Sequence, residues 1–499
     1  MKLTMLLVLV CGIFIPMFAF SQEHQHGEHH AEELGEVHFP VSCGEEAQKE
    51  FNRAVALLHD FWYAEAEKAF GSLGEKNPGC AMAFWGAAVS NYHPIWAPPN
   101  SAEMQRGKTA VEKAASMAVS TDREQGYVSA IATFYKDSEK LDHPTRARAY
   151  AAAMEQVHKE NPEDLEAAVF HALALLGTAQ AADKTYAVQK QAAAILSPLV
   201  QKAPNHPGIS HYIIHSFDYP SLAELALPAA RTYAKVAPSS PHALHMPSHI
   251  FTRLGLWQES IDSNIASAAK AKAHVEKTMP GAGSFDQLHA MDYLVYAYLQ
   301  LGNEKAAGQI LEEAEKIGKL DLDNFAAAYA FAAMPARYAL ERNQWKDAAA
   351  LRVAPVWFPW QKFSYAEAIT HFAAGVGAAR SADVETAVSA ERRLGEIHKT
   401  LVDQDKYWAG QVEIQRLSVA AWLAYAQGKR EEALQMMRSA TELEDSTEKH
   451  PVTPGAILPA HELLGDMLME LGRPKEAEAE YKKSLATAPN RLRAIKMKF

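Results

Sequence analysis

Apolar residues recur with a helical period along almost the whole chain. From Cys43 onward they fall at positions i, i+3, i+4 and i+7, which is the spacing of one face of an amphipathic helix. Alanine, leucine and glutamate are abundant and runs of β-branched residues are scarce, and this composition favours helix. The pattern predicts an all-α domain over residues 45–490, with residues 491–499 as a C-terminal tail.

The predicted helices also repeat. Near each end of the domain an alanine is followed four residues later by an aromatic residue and twelve residues later by a proline. The two sets are Ala66, Phe70 and Pro78, and Ala477, Tyr481 and Pro489. The same small-residue position can be placed at Ala192, Ala226 and Ser260, which lie 34 residues apart. A constant period of this length indicates stacked helix pairs.

This pattern resembles the tetratricopeptide repeat family, whose second helix carries a small residue, then an aromatic residue, then a terminal proline. The resemblance implies a right-handed α-solenoid of about nine or ten helix pairs. Each pair has an apolar face that it cannot bury alone, so stacking leaves a superhelix with a concave groove. Protein or peptide partners are the usual ligands that the resemblance implies.

The N-terminus has the features of an exported protein. Residues 1–21 resemble a signal peptide, with Lys2, an apolar run and a small-residue cleavage site at Ser21. We therefore expect a periplasmic or secreted protein with no membrane span. Residues 22–44 are polar and histidine-rich, which predicts a disordered leader. In that leader His24 would be the third residue after cleavage and could join the terminal amine around Cu(II) or Ni(II).

Net charge and cysteine content bear on the expected partners and on a possible disulfide. The formal charge of -11 argues against nucleic acid as a partner. Of the three cysteines, cleavage would leave Cys43 and Cys80. In an oxidising compartment this favours one disulfide between them, with two buried free thiols as the alternative.

Histidines concentrate in one part of the chain. Six of the 22 lie at positions 206, 211, 215, 242, 245 and 249. In tetratricopeptide repeats the first helix of each pair lines the groove through its second, fifth, ninth and twelfth positions. Starting one repeat at Pro207 and the next at Pro241 puts the last five of these histidines, together with Asp218, on groove positions. Pro247 either kinks the second of these helices or begins it.

These positions predict a site on the groove. We expect His211, His215, His245 and His249 to hold a metal, for which zinc or copper suits imidazole. Further candidates for ligand binding are Asp218, His242, Arg253, His289 and Asp292.

Three interpretations of the cluster remain open: a transition-metal site, a polar pocket for an organic anion or exported peptide, or histidines that only hydrogen-bond within helix packing. The leading functional hypothesis is an exported binding protein whose groove holds a transition metal or a small polar ligand; the alternatives are a metal-dependent enzyme that uses the same histidines and a metal-free scaffold for protein partners. Known catalytic motifs do not separate them, because His461-Glu462 lacks the second histidine of a zinc-protease motif.

Other groups near the predicted groove edge are weaker candidates. An aromatic loop either walls a pocket or packs under itself, and its residues are Trp357, Phe358, Trp360 and Phe363. Lys449, His450 and His371 are possible pocket residues, whereas His59 and His93 are expected to be structural.

Overall fold

The computed structural model describes residues 32–497. Within them every regular element is a helix, and a single isolated bridge joins Gly283 and Leu320. The predicted signal peptide and His24 lie outside the described residues. From Glu33 onward the chain forms one unit.

Most helices pack against the helices that precede and follow them in the chain. In chain order they are α1 (Glu45–His59), α2 (Tyr63–Lys76), α3 (Ala81–Ser90), α4 (Ser101–Ala115), α5 (Asp122–Tyr135), α6 (His143–Glu160), α7 (Leu165–Leu176), α8 (Ala187–Leu196), α9 (Leu199–Lys202), α10 (Pro207–Phe217), α11 (Ala223–Val236), α12 (Pro241–His245), α13 (Pro247–Arg253), α14 (Trp257–Thr278), α15 (Phe285–Gln300), α16 (Glu304–Glu315), α17 (Phe325–Leu340), α18 (Trp345–Ala349), α19 (Ser364–Arg380), α20 (Val384–Leu401), α21 (Lys406–Ala426), α22 (Arg430–Asp445), α23 (Ala460–Glu470), α24 (Pro474–Thr487) and α25 (Leu492–Lys496). The fold is an all-α solenoid, as predicted.

The small-then-aromatic pattern has a direct packing role. Phe70 lies so close to Gly86 of the next helix that a Cβ there would come within 2.3 Å of the ring. Tyr481 covers Gly465 in the same way, at 2.7 Å. In both places the aromatic ring of a second helix takes the space that a missing side chain leaves on a first helix, so the two helices approach closely.

The buried core falls into two large clusters that meet near the histidines. The first runs from Leu34 to Phe251 and the second from Leu288 to Ala494. Helices α10, α12 and α13 belong to the first, and α15 belongs to the second. The histidine-bearing helices therefore lie where the two halves of the core adjoin.

Pro247 both interrupts and restarts its helix. Met246, between α12 and α13, keeps helical angles (φ -53°, ψ -36°), and its N–H donates to the carbonyl of His242. The chain therefore continues in nearly the same direction across the break. His242 and His245 lie before it and His249 after it, and all three still face inward.

The leader prediction is wrong for residues 33–44, which are ordered although they form no helix. Glu33 exchanges hydrogen bonds with Ser239, and the N–H of Glu36 donates to the carbonyl of Asn205 at 2.9 Å. Phe39 is fully buried. Its ring lies 4.9–6.3 Å from an aromatic cluster formed by Phe51, Trp85, Tyr127 and Phe170. Leu34 is also buried, so apolar contacts and hydrogen bonds together anchor this segment.

The two ends of the solenoid are also fastened. A disulfide joins Cys43 and Cys80, whose Cα atoms are 4.9 Å apart. At the other end, the predicted tail begins with Arg491, which is fully buried and bonds to Glu462 at 2.6 and 2.8 Å. The prediction of a plain tail is therefore wrong for residues 491–497, because this buried ion pair holds α25 against the last repeat.

Among the described helices, none combines the length and the apolar character needed to cross a lipid bilayer.

Replacing Phe39 with alanine tests the anchoring of the N-terminal segment. We expect Phe39→Ala to lower the free energy of unfolding by about 3–5 kcal/mol, because it leaves a cavity in a closely packed aromatic cluster. Urea denaturation measures the change. His38→Ala is the matched control, since His38 is exposed. Equal stability of the two variants would contradict the structure of this segment.

Candidate metal centre

A first set of three histidines converges on one point in the groove. His211 and His215 are one turn apart on α10, and His242 reaches them from α12. The Nε2 atom of His211 lies 3.1 Å from that of His215 and 3.2 Å from that of His242. All three side chains are buried. We call this set the first triad.

The orientation of the His211 ring is fixed by a hydrogen bond on the side that faces away from His215 and His242. Its Nδ1 donates to the carbonyl oxygen of His59 at 2.6 Å. His59 is the last residue of α1, where backbone carbonyls lack an intrahelical partner. A neutral ring that donates through Nδ1 has a lone pair on Nε2, so His211 presents that lone pair to His215 and His242.

A second set lies beside the first. The Nε2 atoms of His245 and His249 are 3.0 Å apart. His289, on α15, brings its ring centroid to 4.2 Å from that of His245, and its Nε2 is buried without a hydrogen-bond partner among the described residues. We call these three histidines the second triad.

His245 and His249 of the second triad are held by oxygen acceptors. His245 donates from Nδ1 to Oδ1 of Asn264 at 2.6 Å. The amide nitrogen of Asn264 donates to the carbonyl of Ser260, which fixes the direction of the amide. His249 donates from Nδ1 to Oδ2 of Asp218 at 3.0 Å. Acceptors of this kind commonly orient metal-binding histidines.

These acceptors place two lone pairs opposite each other. Since His245 and His249 both donate through Nδ1, each neutral ring carries a lone pair on Nε2, and those two atoms are 3.0 Å apart. Two acceptors at this distance repel unless a cation lies between them. The arrangement therefore calls for a shared proton or a metal ion.

Burial disfavours the proton. Burial lowers the pKa of His211 to about 3, and it lowers the pKa of His245 well below the usual histidine value. The pKa of His249 is also lowered by burial, although Asp218 pulls it upward. The pKa values of the other three members, His215, His242 and His289, are lowered well below the usual value by the same cause. The triads therefore consist of neutral imidazoles near pH 7.

Asp218 joins the second triad to two cations. Its Oδ1 accepts from Arg253 at 2.9 Å, and its Oδ2 accepts from Lys449 at 2.8 Å. Burial raises the pKa of Asp218, but Lys449 and Arg253 more than offset this and hold it well below its usual value. Burial lowers the pKa of Lys449 to about 8. The carboxylate is thus charged, and its charge is matched locally.

A cavity of about 1150 Å³ opens onto the first triad. His215, Asp218 and His242 form part of its wall. The ring of Phe61 lies over the first triad, with centroids 5.5 and 5.6 Å from those of His215 and His242. Phe61 has a left-handed backbone (φ 55°), which is unusual for a residue with a large side chain.

Some of the remaining residues predicted from the sequence lie at a triad or at the cavity, and others lie elsewhere. His289 joins a triad, whereas Asp292 instead pairs with Arg337 at 3.3 Å. Lys449 and His450 line the cavity, and His371 bonds to Glu367 away from it. Of the aromatic loop, Phe358 and Trp360 are buried, and Trp360 donates to the carbonyl of Pro355 in its own loop.

His59 belongs to a third buried group. Its Nε2 lies 2.9 Å from one oxygen of Glu166, and Nε2 of His206 lies 3.0 Å from the other. Burial raises the pKa of Glu166, but the two histidines more than offset this and hold it well below its usual value. Because the carboxylate is fully engaged by these rings, we interpret this group as a support for His59, whose carbonyl in turn orients His211.

Sequence reasoning missed Asn264, Phe61 and the ion pair between Lys449 and Asp218. Asn264 did leave a signal. It lies four residues after Ser260, where other repeats place the buried Phe70 and Tyr481. A polar residue at that buried position indicates a hydrogen-bonding partner.

Comparison with known proteins supports the repeat and adds little about function. Residues 458–491 match the family model described as tetratricopeptide repeat, so the α23–α24 pair is a tetratricopeptide repeat. No curated protein matches the chain.

Several solved structures are similar at low identity. One is the APC/C hetero-tetramer Cut9-Hcn1, with 13% identity, 92% of this chain and 77% of that chain covered, and a TM-score of 0.38. Human IFIT1 in a dimer with PPP-AAAA has 14% identity, coverage of 80% and 83%, and a TM-score of 0.35. A tetratricopeptide repeat protein from Parabacteroides merdae has 12% identity, coverage of 75% and 97%, and a TM-score of 0.25. Similarity this weak carries no argument about function.

The buried neutral histidines predict acid sensitivity of the metal-free protein. Their folded pKa values lie below the value of about 6.5 expected when unfolded. The stability they contribute is therefore present above about pH 6.5 and is lost as the pH falls, because only the unfolded chain takes up the protons. For each such histidine the slope approaches about 1.4 kcal/mol per pH unit only below about pH 5.5, and the loss between pH 7.5 and 5.5 is about 1.4 kcal/mol in total.

Urea denaturation between pH 7.5 and 5.5 in the presence of a chelator measures this slope. His211→Gln should reduce it, since that variant removes one of the rings. Stability that is constant or rises on acidification would show that these rings are not buried in the neutral form.

Proposed function

We propose that this chain is a binding protein that holds a transition metal in its groove through the histidine triads. The observation that carries the proposal is the pair of opposed lone pairs on His245 and His249. A metal ion turns that repulsion into two coordinate bonds. The three fixed acceptors, the His59 carbonyl, Asn264 and Asp218, already hold the rings in the tautomer that coordination needs.

The spacing of the nitrogens also suits coordination. Zinc binds imidazole nitrogen at about 2.0–2.1 Å, so two ligands of a tetrahedral ion lie about 3.3 Å apart. Three of the Nε2 separations within the triads are 3.0, 3.1 and 3.2 Å, and the other ligand atoms of each triad lie within 4.8 Å of one another. The ligand atoms are thus close to the separations of a coordination sphere, and little rearrangement is needed to admit an ion.

Imidazole ligands favour zinc or copper over magnesium or calcium, which prefer oxygen. The signal-like residues 1–21 support a periplasmic or secreted location for this binding. Helical-repeat scaffolds typically bind other proteins, and the outer surface of the solenoid remains available for such partners.

Removing two ligands of the second triad tests the proposal. The full chain, purified without a histidine tag, is stripped with a chelator, equilibrated with Zn(II) and analysed for bound zinc. We expect His245→Ala plus His249→Ala to bind less zinc than the wild type. We also expect zinc to raise the melting temperature of the wild type more than that of the variant, because a ligand stabilises the state that binds it.

His371→Ala plus His398→Ala is the matched control, since both residues lie outside the triads. It should keep the zinc content of the wild type. Zinc content that is unchanged in the His245 and His249 double variant would place the bound metal elsewhere and refute the proposal.

A further inference from the structure

The six groove histidines form two sets and not one. Nitrogens of His211, His215 and His242 all lie within 4.8 Å of one another, and so do those of the second triad. The six nitrogens do not form one such set. A single ion with bonds of about 2.0–2.1 Å therefore cannot bind all six, and each triad offers three histidine ligands of its own.

The two sets are nevertheless direct neighbours. Across the boundary, the ring centroids of His215 and His249 are 6.1 Å apart, and those of His242 and His245 are 6.2 Å apart. Within the second triad, His249 and His289 are separated by a similar 6.4 Å. Ions held by the two triads would therefore be adjacent, as in the two-metal sites in which one small ligand contacts both ions.

The charge around the triads determines what that small ligand is. All six ligands are neutral imidazoles, so they do not compensate the charge of the ions. Asp218 is the carboxylate that contacts the triads, and Lys449 and Arg253 already match its charge. Cations buried with neutral ligands need a counter-charge. An anion bound directly to the ions supplies it.

Access for such an anion is visible in the structure. Three histidines leave the fourth position of a four-coordinate ion open. His215 and His242 border the cavity of about 1150 Å³, so a small solute that enters the cavity meets the first triad. Lys449 lies in the same wall, where it is paired with Asp218.

We propose that the two triads bind two transition-metal ions side by side, and that these ions share a small anion admitted from the cavity. This inference rests on the proposed function and goes beyond it in stoichiometry and in the class of ligand. Azide is a suitable probe of the shared anion because it is small, charged and able to bridge.

The first experiment counts ions. The full chain, its variant His211→Ala plus His215→Ala, its variant His245→Ala plus His249→Ala, and the combined fourfold variant are equilibrated with Zn(II) and analysed for metal. We expect the two double variants to lose one ion each relative to the wild type, and the fourfold variant to lose two. Differences from the wild type are used because the N-terminal histidines can bind metal in every variant alike.

The outcomes separate this inference from the proposed function. If the fourfold variant loses only one ion, the proposed metal-binding function stands and the two-ion centre is wrong. Unchanged metal in all variants would refute both proposals.

A second experiment uses only the wild-type chain and does not depend on how the variants fold. The protein is loaded with Cu(II) and examined by electron paramagnetic resonance, then titrated with azide. Two adjacent Cu(II) ions should interact magnetically. Either the number of detected spins should then be lower than the number of bound copper ions by two per chain, or a half-field signal should appear. Azide should produce a new near-ultraviolet absorption band.

A full spin count from isolated ions would show that the ions are not neighbours. Absence of an azide band would show that no open position faces the cavity. Either result would overturn the inference, whereas copper at the N-terminal histidines would add only an uncoupled signal.

Discussion

The orientation of the groove histidines depends on the oxygen atoms that accept hydrogen bonds from their Nδ1 atoms. The carbonyl of His59, the side-chain amide of Asn264 and the carboxylate of Asp218 each accept from an Nδ1 atom. These three bonds leave the opposite nitrogen of each ring as an acceptor that points into a buried space. The solenoid supplies the acceptors from different helices, so the protonation state of the rings follows from tertiary packing and not from any local motif.

The position of the histidines in the fold explains why so many polar groups are tolerated there. They lie where two apolar core clusters adjoin, and the groups around them are paired: Asp218 with Lys449 and Arg253, Asp292 with Arg337. Buried charge is costly unless it is matched. Six neutral imidazoles avoid that cost in the metal-free chain but leave the unfavourable contact between His245 and His249 that a cation relieves.

Much of the fold could be predicted from the sequence, because helical period and repeat spacing are local properties. The starts of α10 at Pro207 and α12 at Pro241 agree with the repeat register. The division into two triads was not predictable, since it depends on how His242 and His289 approach from neighbouring helices. The ordering of residues 33–44 was missed because its few apolar residues, among them Leu34 and the fully buried Phe39, follow no helical or strand period.

In helical-repeat proteins each helix pair contacts only its neighbours. Few contacts between distant repeats therefore resist stretching or bending of the superhelix. The segment around Phe39 changes this in the first half of the solenoid. It contacts the loops at Asn205 and Ser239 as well as the aromatic cluster of the first repeats, while the Cys43–Cys80 disulfide ties its end down. The segment thus links the first repeats to the loops that precede α10 and α12. Stretching or bending of the superhelix between the first repeats and α12 would have to break these contacts first.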